Sequence, residues 1–252
     1  MGYYDRFMPT VAYDFYDLPH SGVTLRGPLP DFDKPFVAVW GSSEIFGKYV
    51  ERDLCHHMSQ QMEHQVVNFG IMNAGVDVMA WRHLFGYWSR RAQMNIVQTL
   101  PARHRNNAHY KVHPIRNDRL ISVSSDLKRM FPEVNFLEMY FVGHLWEALT
   151  KICTDRARLV SQIIEDEGQR HFAQLFQEAP PRTIVLHIDG PSYHRSTCPL
   201  IEHLTYTPSR EVLLKGQLGM VFHEFERTAA CRSLSAVADA ELARYLIDTV
   251  AL

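Results

Sequence analysis

The feature that most constrains this chain is one unbroken apolar run, Phe36-Val37-Ala38-Val39-Trp40, which ends at Gly41 and is followed by Ser42 and Ser43. Such a run predicts a β-strand that is buried on both faces, as in a parallel sheet. Serine is a common helix cap, and apolar residues recur every three to four positions from Ile45 to Met58, which predicts a helix after the turn. This unit brings a side chain and unpaired backbone N–H groups to the carboxyl edge of a parallel sheet, where open α/β folds bind ligands.

Three later segments are also apolar and predict further buried strands. With the first strand, the predicted set is 36–40, 65–69, 95–100 and 183–188. Because helix-forming stretches separate the first three strands, we expect a parallel sheet with right-handed crossovers, in which all four strands are paired and central. The predicted fold class is α/β, with a three-layer, flavodoxin-like (SGNH-like) parallel sheet flanked by helices and a helical insertion.

The remaining segments are arranged around this sheet, and we expect residues 1–252 to form a single α/β domain. Residues 1–35 are rich in Tyr, Asp and Pro and show no periodicity, so they are expected to form an N-terminal arm outside the core. The helical insertion is predicted over 120–178, and a weak strand over 218–222. Helices are predicted over 77–92, 125–131, 136–147, 154–178 and 236–250.

Composition and charge exclude several classes of protein. With 46% apolar and 21% charged residues, the chain can fill a core, which argues against disorder. The formal net charge of −2 gives no overall attraction to nucleic acid, and no apolar run approaches the roughly 20 residues that span a bilayer. The N-terminus lacks the basic flank and apolar stretch of a secretory signal. We therefore expect a cytoplasmic protein with no nucleic-acid partner and no membrane partner.

The pattern of ligating residues predicts neither a cofactor nor a metal. The four cysteines form no C-x-x-C pair. His109 and His113 have the i, i+4 spacing of ligands on a helix, but Pro114 and the polar surroundings disfavour a helix there.

The segment Pro101–Arg119 is the candidate functional loop, because it is polar, irregular and longer than a usual connection. It contains five Lys/Arg and one Asp, with three histidines between them. Guanidinium groups suit phosphate, sulfate or carboxylate, and a loop after a third strand overhangs the same sheet edge as Ser43. The predicted substrate-binding residues are Arg103, Arg105, His113, Arg116 and Arg119. Alternatively, these charges form a solvated surface that pairs with the acidic stretch Glu165-Asp166-Glu167.

The turn Gly41-Ser42-Ser43 resembles the Gly-Asp-Ser block of the SGNH hydrolases, also called GDSL esterases. The resemblance implies that Ser43 is a nucleophile at a helix start, where its own N–H helps to hold an oxyanion. The stretch Asn68-Phe69-Gly70-Ile71-Met72-Asn73-Ala74-Gly75 resembles the second block, which implies an oxyanion donor at Gly75, with Gly70 as the second choice. The third block supplies an asparagine after the third strand, and Asn106 or Asn107 lies in that place.

The general base is the element that this resemblance leaves open. SGNH hydrolases carry an Asp and a His three residues apart before the final helix, and the corresponding part of this chain lacks that spacing. Asp189 and His194 follow a predicted strand at a different spacing, which makes His194 the candidate, and His223 lies nearer the last helix. Without a positioned base a serine hydroxyl is a weak nucleophile. The alternative interpretation is that Ser42 and Ser43 only cap the helix.

A second resemblance, covering roughly residues 25–190, is to a bacterial family of domains of unknown function. It rests on Arg26-Gly27-Pro28, the turn from Gly41 to Gly47, Val67-Asn68-Phe69-Gly70 with Asn73-Ala74-Gly75, and most specifically Tyr110-Lys111-Val112-His113-Pro114-Ile115-Arg116-Asn117-Asp118-Arg119. This resemblance implies no activity. It does imply that threonine can replace Ser43, which favours the basic loop as the functional element.

Together these patterns predict a hydrolase or acyltransferase that acts on an acyl ester of an anionic sugar, polysaccharide or acyl-carrier substrate. Ser43 would attack, Gly75 and Asn106 or Asn107 would hold the oxyanion, and the arginines would hold the anion. The alternative is a non-catalytic binding or assembly protein that uses the same pocket for an anionic ligand. Phosphoryl or sulfuryl transfer lacks a Walker A signature.

Overall fold

A computed structural model describes residues 11–80, 82–100, 102–177, 179–180, 182–189, 219–224, 240, 242–244 and 246–247. Its strands are β1 (Phe15–Leu18), β2 (Val23–Arg26), β3 (Phe36–Gly41), β4 (Gln65–Gly70), β5 (Met94–Gln98), β6 (Tyr110–Val112), β7 (Leu120–Val123), β8 (Thr183–Asp189) and β9 (Gly219–Glu224). Its helices are α1 (Ser43–Phe46), α2 (Leu54–Ser59), α3 (Val76–Met79), α4 (Tyr87–Arg91), α5 (Ser125–Met130), α6 (Val142–Ile152) and α7 (Thr154–Gln177). A π-helical turn spans Arg82–Gly86 and a 3₁₀ turn spans Phe136–Glu138.

Five parallel strands form the central sheet, in the spatial order β4-β3-β5-β8-β9. Alternate side chains of β3 enter the two apolar layers on opposite faces of the sheet. Phe36, Ala38 and Trp40 pack on one side, and Val37 and Val39 pack on the other. Since both layers also contain residues from helices, the apolar run of β3 is covered on both faces, as its sequence predicts.

The order of the strands reverses at β3. The chain passes from β3 to β4 on one side, and then to β5, which pairs with the other side of β3. In an open parallel sheet this reversal leaves a crevice at the carboxyl ends of the two inner strands, here β3 and β5. The turn that begins at Ser42 and the residues after Gln98 therefore meet at one edge of the sheet.

The prediction of an α/β protein with a parallel sheet flanked by helices is confirmed, and the weak strand predicted over 218–222 exists as β9. The prediction that all four strands are central is wrong for β4, which is an edge strand of the described sheet. Side chains cover this edge. Ser59 Oγ accepts a hydrogen bond from the Val66 backbone N–H at 3.1 Å, and the Gln65 side chain hydrogen-bonds to the backbone of Asp31. An apolar edge strand is thus shielded from pairing with another chain.

The irregular sequence of residues 1–35 predicted an arm outside the core, but the described part, 11–35, contributes to the core. β1 and β2 form an antiparallel hairpin, and Leu18, Val23 and Leu25 belong to the main apolar cluster. β2 also packs against β4. The alternating pattern of only four residues per strand is too short to stand out in the sequence.

Two of the predicted helices are divided. The stripe from Ile45 to Met58 forms α1 and α2, because Gly47 ends α1 with a left-handed backbone (φ 70°) and the Asp53 carboxylate caps α2 by accepting from the His56 N–H at 2.8 Å. The segment 77–92 forms α3, the π-helical turn and α4. The predictions over 125–131 and 154–178 agree with α5 and α7, whereas the helix predicted over 136–147 forms later, as α6.

The basic segment is less irregular than predicted, since it contains β6, which pairs with β7 in an antiparallel hairpin. The closing helix predicted over 236–250 is described only in part, at residues 240, 242–244 and 246–247, which are helical. Among the described residues, no helix combines the length and apolar character required to cross a bilayer.

Candidate functional site

The first part of the site is the turn after β3. The Ser42 backbone N–H donates to Gln98 Oε1 at 2.9 Å, which links the end of β3 to the end of β5 across the crevice. An added Cβ on Gly41 would lie 2.2 Å from Ile45 Cγ1 and 2.3 Å from the same Gln98 oxygen, so a side chain at this position would displace both Ile45 and the Gln98 carboxamide. The Gln98 side chain therefore lies in the crevice next to the Ser42 backbone.

Ser43 is the first residue of α1, and its hydroxyl is held by the loop after β4. Ser43 Oγ donates to Asn73 Oδ1 at 3.1 Å and accepts from the Asn73 backbone N–H at 3.0 Å. Asn73 has a left-handed backbone (φ 59°), a conformation that non-glycine residues adopt mainly at constrained sites. These two hydrogen bonds fix the orientation of the hydroxyl at the carboxyl edge of the sheet.

The structure does not support helix capping by either serine. Ser42 occupies the N-cap position of α1, but its side chain makes no capping hydrogen bond. The Ser43 hydroxyl bonds to Asn73 and not to a backbone N–H further along its own helix. Within the described part of the chain, neither the Ser43 N–H nor the Asn73 side-chain nitrogen has an acceptor. Two hydrogen-bond donors therefore remain beside Ser43 Oγ.

A buried network of hydrogen bonds around Arg26 holds this turn in place. Arg26 Nη1 donates to the carbonyls of Phe46 and Gly47 at 3.0 and 2.7 Å, and Arg26 Nη2 donates to those of Val50 and Glu51 at 2.9 and 2.6 Å. Its Nε forms an ion pair with Asp53 Oδ2 at 3.2 Å. The guanidinium thus satisfies the carbonyls at the end of α1, which lack partners within such a short helix.

Asn68 joins that network to the sheet. Its side-chain nitrogen donates to the Ile45 carbonyl at 2.8 Å and to Asp53 Oδ2 at 3.0 Å, and its oxygen accepts from the Gly70 N–H at 2.8 Å. A Cβ on Gly70 would lie 2.3 Å from the Phe46 backbone nitrogen. Gly70, the second choice for an oxyanion donor, therefore brings β4 close to α1, and its N–H already has an acceptor.

Gly75 is equally confined. Its N–H donates to Asn117 Oδ1 at 2.5 Å, and an added Cβ would lie 1.7 Å from the His104 carbonyl oxygen. The N–H that the sequence assigned to an oxyanion is thus occupied by Asn117. Asn117 is fully buried, donates from its side chain to the His113 carbonyl at 2.7 Å, and donates from its backbone to the Asn73 carbonyl at 2.9 Å. It ties the loop that holds Ser43 to the turn between β6 and β7.

The two candidate asparagines of the third block organise the basic segment. The Asn106 backbone N–H donates to Asp77 Oδ2 at 2.6 Å, and Asn106 Oδ1 accepts from the Val112 N–H at 3.0 Å. Asn107 is buried, and its Oδ1 accepts from two successive N–H groups, those of His109 and Tyr110, at 2.9 and 3.0 Å. No hydrogen bond joins either asparagine to Ser43 among the described residues.

The predicted anion-binding arginines divide into two groups. Arg105 is buried, and its guanidinium lies 3.4 Å from Glu167 Oε2 and 3.7 Å from Asp77 Oδ1, so the chain's own carboxylates neutralise it. This pairing with Glu167 agrees with the alternative reading of the basic segment. Arg103 is also buried, and its carbonyl accepts from the Tyr110 hydroxyl at 2.8 Å. Burial withdraws both guanidinium groups from solvent.

Arg116 and Arg119 are exposed and belong to the turn between β6 and β7. His113 shapes this turn, because its Nδ1 accepts from the N–H groups of Ile115 and Arg116 at 3.2 and 3.1 Å. The Arg119 guanidinium carbon lies 5.9 Å from the centre of the Phe141 ring. Of the five predicted substrate-binding residues, these two arginines therefore present their charge to solvent, and His113 and Asn117 hold their backbone.

Two of the three histidines within the basic segment, His104 and His109, are buried. His109 is 6% exposed, and burial lowers the pKa of its imidazole, while Glu167 and Asp126 act in the opposite direction. His104 is 9% exposed. The general-base candidate from the sequence, His194, lies outside the described residues, as does the side chain of His223. Within the described ranges, both recorded hydrogen bonds of Ser43 Oγ go to Asn73 and none goes to an imidazole.

An Asp-x-x-His spacing does occur twice near the start of the chain. At Asp17 and His20 it falls on the hairpin of β1 and β2, where Asp17 Oδ1 accepts from Thr24 Oγ1 at 2.7 Å. The second occurrence is at Asp53 and His56. There the Asp53 carboxylate caps α2 and pairs with Arg26, so it serves the support network and does not orient an imidazole toward Ser43. The part of the chain that the structure describes also contains no group of three or more His, Cys, Asp or Glu side chains placed to hold a metal.

Asn73, Asn117 and Gln98 are site residues that the sequence reasoning did not single out. Each is an amide that bonds across two loops or two strand ends, and such pairings depend on chain positions that are up to 56 residues apart. Asn73 and Asn117 do lie within the stretches that carried the family resemblance, which was the available signal.

The chain belongs to the family described as "Domain of unknown function (DUF6473)", whose model matches residues 1–251. This confirms membership of a domain-of-unknown-function family, as the motifs around Arg26, Asn68 and Tyr110 predicted. A search of curated proteins found no match for this chain.

Proposed function

We propose that this protein is an SGNH-like hydrolase or acyltransferase that acts on an acyl ester of an anionic sugar, polysaccharide or acyl-carrier substrate. The observation that carries the proposal is the position of Ser43 at the end of β3, with its hydroxyl oriented by Asn73 at the crevice between β3 and β5. In sequence order the strands of the sheet run second, first, third, fourth, fifth. That order supports a flavodoxin-like fold, a class in which ligands bind at this crevice.

In this mechanism Ser43 Oγ attacks the acyl carbonyl, and its proton passes to a general base. The oxyanion accepts hydrogen bonds from the Ser43 N–H and from the Asn73 side-chain nitrogen, which have no other acceptor in the described residues. We assign these donors in place of Gly75, whose N–H is bonded to Asn117. The alcohol of the substrate leaves with the proton, and water or an acceptor hydroxyl then cleaves the acyl-serine bond.

The base is a histidine in this proposal, since the amide of Asn73 cannot accept the proton of Ser43 at neutral pH. His194 is the candidate from the sequence, and His104 and His109 are the candidates on the basic segment. Single replacements of the three histidines by Ala identify the base as the one whose loss lowers turnover and removes the lower limb of the pH profile.

The decisive experiment compares Ser43→Ala with Ser42→Ala. We expect Ser43→Ala to lose both labelling by a fluorophosphonate probe and turnover of a panel of p-nitrophenyl esters, whereas Ser42→Ala, whose side chain makes no capping bond, keeps both. Full activity in the Ser43→Ala protein would exclude a serine hydrolase.

Asn73→Gly tests the oxyanion assignment separately. Glycine tolerates the left-handed backbone at this position, so the Asn73 N–H that contacts Ser43 Oγ is retained while the carboxamide is removed. We expect kcat to fall by about 10² to 10³, the typical effect of removing one oxyanion donor. An unchanged kcat would show that this carboxamide does not contact the transition state.

The second candidate is a non-catalytic protein that binds an anionic ligand at the same edge. The exposure of Arg116 and Arg119 on a turn tied to Asn73 and Gly75 favours it, because both guanidinium groups are available to an incoming anion. Titration of sulfate, phosphate and small carboxylates into the wild type and Arg116→Ala tests this function. Binding that weakens with salt and with the substitution supports it, and equal affinity removes the turn from the site.

A further inference from the structure

The hairpin of β6 and β7 forms a small two-stranded sheet beside the candidate site, and a single bridge joins it to the segment around Phe141. Lys111 is paired in register with Ser122, and an isolated bridge joins Arg119 to Phe141. Tyr110 and Val112 face the core, whereas Lys111 and Ser122 are exposed, so the sheet has one buried and one open face. This open side of the molecule is continuous with the turn that carries Arg116.

Large apolar side chains are exposed around these cations. Leu137 is 87% exposed, Tyr140 is 67% exposed and Ile121 is 61% exposed. We call this surface the cationic–apolar face, and its members are Lys111, Ile115, Arg116, Arg119, Ile121, Leu137 and Tyr140. Single exposed apolar residues are ordinary, but a cluster beside several cations is typical of a protein interaction surface.

We infer that the cationic–apolar face docks an acidic protein that carries the acyl chain, and that among the proposed substrates the acyl carrier is the one this enzyme uses. The inference rests on the proposed function. Glu138 is the carboxylate nearest in sequence to Leu137, and its Oε1 accepts from the Asn135 side chain at 3.0 Å. A second carboxylate, Asp118, lies between Arg116 and Arg119 in the turn. The three cations of the face outnumber these two carboxylates, so the face attracts a negatively charged partner, although the whole chain carries a net charge of −2.

The apolar component separates the candidate substrates. A free sugar or polysaccharide presents mainly hydroxyl and carboxylate groups, which leave Ile121 and Leu137 without a matching surface. A protein partner covers such residues with its own apolar side chains and meets Lys111 and Arg119 with carboxylates at the rim. An acidic carrier therefore uses both chemical features of the face.

The location of the face suits delivery to Ser43. Asn117 follows Arg116 in the turn between β6 and β7, and its backbone N–H donates to the Asn73 carbonyl. The Asn73 N–H in turn donates to Ser43 Oγ. Two residues, Asn117 and Asn73, thus connect the turn that carries Arg116 to the Ser43 hydroxyl. The tethered acyl group of a partner bound at the face can extend toward the carboxyl edge of the sheet.

The test uses the full-length Ser43→Ala protein, so that the acyl group stays intact, and an acidic bacterial acyl carrier protein loaded with an octanoyl chain. We expect binding that weakens as salt is raised, and a loss of affinity of about tenfold in Lys111→Glu, since reversing a charge at the rim adds repulsion. Ile121→Ser should weaken binding without the same dependence on salt. Because both side chains are exposed, both variants should unfold at nearly the wild-type temperature.

Lys34→Glu and Leu29→Ser are the matched controls. Lys34 has a 73% exposed side chain and Leu29 is 66% exposed, and both precede β3, at the amino end of the sheet, opposite to the edge that carries Ser43. Both controls should bind the carrier like the parent protein. Undetectable binding of the carrier by the parent, or equal affinity in Lys111→Glu, Ile121→Ser and the controls, overturns the inference.

Two further measurements distinguish carrier docking from binding to a lipid surface and from the proposed hydrolase function. The first is binding to vesicles that contain anionic lipid. If the protein binds these vesicles, loses that binding in Lys111→Glu and shows no detectable carrier binding, the carrier assignment is overturned in favour of a lipid surface. Turnover of p-nitrophenyl esters by Ile121→Ser, in a protein with Ser43 intact, should match the wild type. If Ser43→Ala turns over these esters normally, the proposed hydrolase function fails, whereas the binding result still decides whether the face docks a carrier.

Discussion

Two arginine-containing regions of this molecule differ in the burial and the bonding of their guanidinium groups. Arg26 is 6% exposed, and its guanidinium is bonded to four backbone carbonyls and to Asp53. Arg116 and Arg119 are exposed, in a turn whose backbone is held by His113 and Asn117. In the first region the guanidinium stabilises the fold through its own hydrogen bonds. In the second region other residues hold the backbone, and the guanidinium groups remain accessible to a ligand.

The difference shows that a cluster of basic residues in a sequence is not a measure of available charge. Arg105 lies in the same predicted loop as Arg116, yet it is buried against Asp77 and Glu167. Arg26 lies in a segment that seemed peripheral, yet it stabilises the end of α1. The arginines available to recognise an anion are therefore those that the fold leaves exposed to solvent.

The largest effect is expected for Arg26→Met. The substitution leaves Asp53 as a buried carboxylate without its cation and removes the guanidinium from four carbonyls, of which Gly47 keeps a bond from the Val50 N–H. Breaking such a pair typically costs about 3 to 5 kcal/mol. Urea unfolding measures the loss. Arg129→Met is the control, because Arg129 pairs with Asp126 at an exposed position, where an ion pair contributes about 0 to 1 kcal/mol. Equal effects in the two variants would abolish the distinction between the regions.

The contrast also explains how much of the fold the sequence reveals. β3, β5 and β8 could be predicted because consecutive apolar residues of each strand enter the layers on opposite faces, which gives an apolar run in the sequence. β4 has the same apolar character, but Ser59, Gln65 and the N-terminal hairpin protect its outer edge, and no local pattern distinguishes that cover from another strand. The division between α1 and α2 likewise depends on Arg26, which lies about 20 residues earlier in the chain.

The candidate site was predictable at one point and hidden at another. Ser43 could be found because a buried strand followed by a glycine and small hydroxyl residues is a local signal. The partners of Ser43 and Gly75 are Asn73 and Asn117, and asparagine is so common in loops that neither residue is conspicuous. Pairings of this kind depend on the tertiary structure, which sequence periodicity does not encode.

The second largest effect is expected for Asn117→Ala. The substitution removes the acceptor of the Gly75 N–H and the donor to the His113 carbonyl, and leaving such buried groups unsatisfied costs about 2 to 3 kcal/mol in total. Asn135→Ala is the control, since its side chain caps an exposed 3₁₀ turn, where a cap contributes about 1 kcal/mol. A similar loss in both proteins would mean that Asn117 does not hold the two loops together.

A smaller effect is expected from pH, through His109. Burial lowers the pKa of this imidazole below its ordinary value of 6.5, so the unfolded chain takes up the proton at a higher pH than the folded chain does. The stabilising effect of the neutral form is complete above about 6.5 and is lost as the pH falls from there toward the lowered pKa. Urea unfolding over the range of histidine titration, roughly pH 5 to pH 8, measures the slope.

His109→Leu should flatten that slope while keeping the position buried. A residual slope is expected, because burial also lowers the pKa values of His57 and His171. Identical slopes in the wild type and His109→Leu would show that the buried imidazole is not coupled to folding.

The smallest effect on stability is expected for Arg119→Gln, and it is the sharpest test of the comparison. The guanidinium is exposed and contacts the Phe141 ring at 5.9 Å, so its loss should change the free energy of unfolding by less than about 0.5 kcal/mol. The same substitution should weaken the binding of an anionic ligand, and the loss should shrink as salt is added, because a solvent-exposed charge is screened. A destabilisation comparable to that of Arg26→Met, with unchanged ligand affinity, would place Arg119 among the arginines that build the fold, and the turn between β6 and β7 would then lose its claim to be the recognition element.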